Sequence, residues 1–190
     1  MKQFILTSIL LVFLSTSLAA QCADAFRNKY VIVLDIQKYF TDNAPDSTTA
    51  RLIAAVNTVI SKADKDKVIY VKTIMKTLSF TLRGIKVDTV ANHEFCKDLQ
   101  IVNKHIFIKD EANAFTTKRI ANFLRNHDAK DIIIVGLLAE QSVSSTALGG
   151  LELGYNIYVV PAAIMGKTAE SKADAIDQLK RKGVIILGEK

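Results

Sequence analysis

The sequence predicts an α/β fold, three layers deep (α/β/α), on a mostly parallel, doubly wound sheet of about six strands. Three observations predict it. Short apolar, β-branched runs recur along the chain, each too short for a helix and each bounded by turn residues. Segments with apolar residues at helical spacing separate them. Residues 131–160 carry a complete parallel crossover. It has a strand at Ile132–Val135, a break at Gly136, a small-residue helix over Ser142–Leu153, a stop at Gly154 and a returning strand at Ile157–Val160.

The other elements follow in order. Tyr30 to Leu34 is a fully apolar strand closed by the acid Asp35. After a loop through Pro45, Asp46 or Ser47 caps a helix whose inner face is Leu52, Ile53, Val56, Val59 and Ile60. Lys67–Ile74 is the next strand. Over residues 75–104, Gly84, Asn92 and Asn103 point to loops with a short helix or two. His105–Ile108 is a short strand ending at Lys109, and Thr117–His127 is a helix facing inward with Ile120, Phe123 and Leu124. Beyond the crossover come a loop over Pro161–Lys167, a helix over Thr168–Lys182 (Ala173, Ile176 and Leu179 inward) and a last strand at Val184–Leu187. No repeat or linker interrupts the pattern, so residues 27–190 read as one domain.

The first twenty residues read differently. Lys2 precedes an apolar run through Leu14, and small residues lead to Ala19 and Ala20, the pattern of a signal peptide over residues 1–20. The run is shorter than the roughly 18 apolar residues of a membrane span. The expected destination is the periplasm or the exterior, with a lipid anchor at Cys22 as the alternative. Losing that segment removes one lysine and lowers the formal charge from +6 to +5. The surplus is scattered and has no interleaved aromatics, so it describes a solvated basic surface, not a nucleic-acid site. Cys22 and Cys96 could pair in an oxidising compartment, though two cysteines do not make a disulfide framework.

Three polar residues share one structural position. Asp35, Lys109 and the Gly136–Ser142 turn each follow a predicted strand, and in an open parallel sheet those ends line the ligand crevice. An acid, an amine and a hydroxyl at a helix start can together support hydrolysis. Each also has a purely structural reading: Asp35 capping its turn, Lys109 reaching solvent, Ser142 as an N-cap.

Asp35-Ile36-Gln37 with Phe40, Lys109 with Ala114-Phe115, and Gly136 with Ser142-Val143, Thr146-Ala147 and Gly154-Tyr155 resemble the isochorismatase-like (cysteine hydrolase) family. The resemblance runs from about Tyr30 to Leu187. It implies an enzyme acting on a small molecule, with Asp35 as acid/base, Lys109 as its electrostatic partner and Ser142 where the cysteine-hydrolase branch has its nucleophile. It also implies a cis peptide between Leu137 and Leu138, which helps turn backbone N–H groups, including that of Ser142, toward an oxyanion. Gln37, Phe40 and Phe115 become candidate pocket residues, and a homo-oligomer is expected. Nicotinamidase-like members carry an Asp and several His after the second strand. Ile74–Arg83 has neither here, and His93, His105 and His127 are scattered, so no metal or other cofactor is expected.

The hydroxyl at Ser142 is the main departure. A thiol ionises near pH 8.5, and a lysine with a helix N-terminus lowers that further. A serine hydroxyl instead needs an engaged general base, and a carboxylate beside a lysine is a feeble one. Three readings stand. Ser142 attacks an amide or ester carbon. Or Asp35 transfers protons without a covalent step, as in the isochorismatase branch, which lacks the cysteine and cleaves a vinyl ether. Or the chain is a catalytically impaired member that binds a small molecule. Asp35→Asn and Lys109→Ala are expected to leave the fold intact.

Overall fold

The computed structural model describes residues 25–42, 44–74, 76–81, 84–89 and 94–188. Residues 1–20, expected to be a signal peptide, lie outside them, as do Cys22 and His93. Strands β1 (Tyr30–Leu34), β2 (Val68–Thr73), β5 (Ile106–Lys109), β6 (Asp131–Leu137), β7 (Asn156–Met165) and β8 (Ile185–Ile186) form one sheet. Its order is β5-β2-β1-β6-β7-β8 and every pairing is parallel. The chain leaves β1 toward one edge and β6 toward the other, so the topological switch lies between these two central strands.

Alternation along the central strands builds two cores. Ile32, Leu34, Ile69, Val71, Ile132 and Ile134 face one side. There they meet Ile120 and Leu124 of α3 (Lys118–Asn126), Ala147 of α4 (Ser144–Glu152) and Leu179 of α5 (Ala169–Arg181). Val31, Val33, Val68, Tyr70, Ile133 and Val135 face the other side. That side is covered by α2 (Asp46–Lys62), which follows a single turn, α1 (Lys38–Thr41). The five apolar residues expected on the inner face of α2 are all buried, each stabilising the fold by about 1.5–3 kcal/mol.

Four expectations need correction. Residues 76–89 are not loops and a helix but an antiparallel hairpin, β3 (Lys76–Thr81) with β4 (Gly84–Thr89). Ser142 is not an N-cap. A π-helical turn spans Ala139–Val143 ahead of α4, and its closing bond runs from the Val143 N–H to the Leu138 carbonyl at 3.1 Å. The expected loop at Pro161–Lys167 is largely strand, because β7 continues to Met165 through a bulge that shifts its register between Ile134 and Gly136 of β6. Pro161, which has no N–H to offer the ladder, falls in that irregular stretch. In α5, Ala175 rather than Ala173 is buried, because Ala175 and Leu179 are four residues apart and share the inner face.

Gly136 sets how β6 ends. Its φ is +123°, and an added Cβ would fall inside the contact shell of the Leu34 carbonyl. Both strain and collision act, so Gly136→Ala is expected to cost about 3 kcal/mol or more, read as a shift in the urea midpoint at unchanged slope.

Candidate active site

Asp35 follows β1 with φ of +58°, a left-handed position that Asp tolerates better than most residues. Its carbonyl accepts the Gln37 N–H at 2.7 Å, closing a tight turn at the carboxyl end of the sheet. The side chain goes inward, and the residue is 3% exposed. Lys109 ends β5, two strands away across β2, about 10 Å at ordinary strand spacing. Only a long side chain spans that gap.

The Lys109 Nζ lies 2.9 Å from Asp35 Oδ2, and both side chains are almost fully enclosed. The same Nζ donates to Ser142 Oγ at 3.0 Å and to the Glu111 carbonyl at 3.2 Å. An ammonium has three protons to give, and this one has three acceptors. Acid, amine and hydroxyl therefore converge on one cation. Ser142 is the half-buried member, so a ligand reaches the group from its side. The hydroxyl accepts from the ammonium, and among the described residues it has no carboxylate or imidazole partner.

Sequence reasoning missed Thr73. Its hydroxyl donates to Asp35 Oδ1 at 2.8 Å, fixing the carboxylate's second oxygen. The available signal was its place at the end of β2, level with Asp35 and Lys109. Thr73 also corrects the reading of Gln37. The Gln37 Oε1 accepts the Thr73 N–H at 2.7 Å, and its Nε2 donates to the Thr73 carbonyl at 3.1 Å. With both amide ends committed and 1% exposure, Gln37 is a clamp between β1 and β2 rather than a pocket wall. Phe115 is likewise buried, stacked on Tyr155 at 5.4 Å and packed into the core.

The peptide bond between Leu137 and Leu138 is cis. Leu137 is buried, and Leu138 is half-buried at the edge of a cavity of about 720 Å³. Phe40 lines the cavity with Leu52, Ile164 and Met165. Asp35, Lys109 and Ser142 do not line it, whereas Leu138 of the cis pair does. Cys96 is a free thiol, buried 3.3 Å from the Thr41 hydroxyl. Among the described residues no three His, Cys, Asp or Glu gather into a metal-ligand group, and no helix is long and apolar enough to cross a membrane.

With this geometry in place, comparison with known proteins defines the class. The isochorismatase domain matches residues 29–189. The chain belongs to the isochorismatase-domain family, a family of hydrolases. Solved structures share its fold. An isochorismatase family protein from Desulfovibrio vulgaris superposes with a TM-score of 0.68 at 16% identity, covering 84% of this chain and 93% of that one. A pyrazinamidase from Pyrococcus horikoshii, solved in complex with zinc, gives 0.64 at 21% identity, covering 84% and 98%. The YcaC gene product from Escherichia coli, described as an octameric hydrolase of unknown specificity, gives 0.64 at 17%, covering 84% and 74%. At these identities the likeness is one of fold alone. A search of curated protein sequences finds no match.

Proposed function

We propose that this chain hydrolyses a small amide or ester, with Asp35 as acid/base, Lys109 as electrostatic partner and Ser142 as the attacking group. The observation that carries the reading is the Lys109 ammonium, bound at once to the Asp35 carboxylate at 2.9 Å and to the Ser142 hydroxyl at 3.0 Å. In the proposed step Ser142 Oγ bonds to the carbonyl carbon and its proton passes to Asp35. The oxygen that gains charge meets backbone N–H groups at Leu138 and Ser142. The proton then leaves with the amine or alcohol, and water releases the acyl group. Asp35 and Ser142 meet through Lys109 in this structure, so a direct Asp35–Ser142 hydrogen bond has to form on substrate binding.

A second reading is favoured by one observation: Ser142 faces a cation and has no base engaged with it. Under it, Asp35 moves protons without a covalent intermediate, as in vinyl-ether cleavage, or the site binds without turnover. Assembly into a homo-oligomer and export through residues 1–20 belong to the same proposal, the first supported by the octameric fold relative. A panel of amides, esters and vinyl ethers tests the function, comparing the natural protein with Asp35→Asn. Asn keeps the left-handed tolerance of position 35 and loses the acid/base group. Turnover in the natural protein and a loss of at least about a hundredfold in the variant are expected. Equal rates would remove Asp35 from the chemistry.

A further inference from the structure

The cavity beside Leu138 has a charge pattern that its neighbouring cluster does not explain. Its walls are largely apolar, yet Arg51, Lys167 and Lys172 line it and no acid does. Arg51 is tied only to α2, through the Ser47 carbonyl at 3.2 Å and the Thr48 hydroxyl at 3.4 Å. None of the three has an acidic partner among the described residues. Three acids flank this wall without lining it: Asp46 and Glu170 follow Pro45 and Ala169 in the first turns of α2 and α5, and Glu140 accepts the Lys167 N–H on its Oε1 at 2.9 Å. Both α2 and α5 also begin at this rim, through Pro45 and Thr48 and through Thr168 and Ala169, and each carries an acid in its first turn that offsets the positive end of its dipole, so the cationic side chains carry the positive character of the wall.

Cations lining an apolar cleft that has no acid among its own walls focus positive potential on it. We infer that the cavity is an anion subsite, and that the small molecule acted on at Ser142 carries a carboxylate that Lys172 and Arg51 hold. Burial lowers the pKa of Lys172 from the ordinary lysine value, the response of an ammonium that lacks a counter-charge. A bound carboxylate would supply that charge, and two flanking cations make stronger bonds to it than neutral donors could. Ile164 and Met165 pair with Gly136 and Leu137 across β6 and β7, so the cavity begins beside the cis turn. A linear molecule can then place its carbonyl at the turn and its acid on α5 and α2. The volume of about 720 Å³ suits a small metabolite.

The inference rests on the proposed hydrolase reading, and binding separates the two. Calorimetry with malonamate, succinamate and glutaramate, each against its neutral diamide, measures affinity without requiring turnover. At low salt at least one monoamide is expected to bind about tenfold more tightly than its diamide, with the advantage shrinking as salt rises. Lys172→Met should remove most of that preference and Arg51→Gln part of it. Arg51 is exposed on α2, so its variant tests the subsite even if Lys172→Met fails to fold. Equal affinity for acid and diamide, no binding of any pair, or a preference unchanged in the variants would overturn the subsite. Preferred binding without hydrolysis would uphold it and overturn the hydrolase reading. Hydrolysis of neutral amides with no anion preference would do the reverse.

Discussion

Lys109→Ala is expected to destabilise the protein by about 3–5 kcal/mol, because it leaves the Asp35 carboxylate enclosed without its cation. The sequence suggested that this substitution would spare the fold, but burial reverses that expectation. An exposed pair would contribute about 1 kcal/mol or less. Here the side chains of Lys109 and Asp35 are 1% and 4% exposed, and the carboxylate's remaining bond is a hydroxyl from Thr73. A lone charge at that depth cannot be rehydrated without opening the sheet end. Asp35→Asn should lose stability too, since it strands the ammonium. Removing both charges together, as Asp35→Asn with Lys109→Ala, should recover part of the loss. Urea denaturation of the four proteins gives the coupling directly, expected at about 2–3 kcal/mol, the upper part of the range for contacting residues. If Lys109→Ala loses less than about 1 kcal/mol, the pair is not enclosed as described. Activity measurements on these variants therefore need a folded-state control at low temperature.

Ser142→Cys should raise hydrolysis of activated esters and amides by at least about a hundredfold. The cation 3.0 Å from this position stabilises an anion there. A thiol can supply that anion at neutral pH, whereas a hydroxyl keeps its proton until a base takes it. The variant thiol should react with iodoacetamide along a pH curve displaced below the usual value of about 8.5. Replacing Lys109 in the same background should move the curve back upward. A thiolate that forms at low pH yet turns over no amide or ester would decide for the binding reading. Cys96 is a built-in control, since its buried thiol hydrogen-bonds to Thr41 and should label slowly in both proteins.

Much of the fold was legible because the chain is locally consistent. The runs at Tyr30–Leu34 and Ile132–Val135 are apolar without alternation, the mark of strands covered on both faces. The inner face of α2 follows from spacing alone. The hairpin at residues 76–89 was not legible. It exposes Phe80 and Ile85, and cross-strand pairing is long-range information. The π-helical turn at Ala139–Val143 was hidden for a related reason, since its residues suit an ordinary helix start and the extra residue comes from the way β6 ends.

The candidate site divides in the same way. Asp35, Lys109 and Ser142 could be singled out because strand ends are readable and parallel strands point their carboxyl ends one way. Gln37 and Phe115 were assigned to the pocket on the family resemblance, and the tertiary structure commits them elsewhere. Arg51 and Lys172 carried no local signal, and Thr73 carried only its place at the end of β2.

By itself, then, the chain order of apolar and polar residues determined a doubly wound parallel sheet, a family and three polar side chains at one end of it. Those properties depend on periodicity and on residue type, which are local. Only the folded chain decided that one ammonium joins the acid to the hydroxyl, that their charges are shut away from water, and that unpaired cations face the cavity beside them. Distances and burial come from segments dozens of residues apart, and no local pattern encodes them.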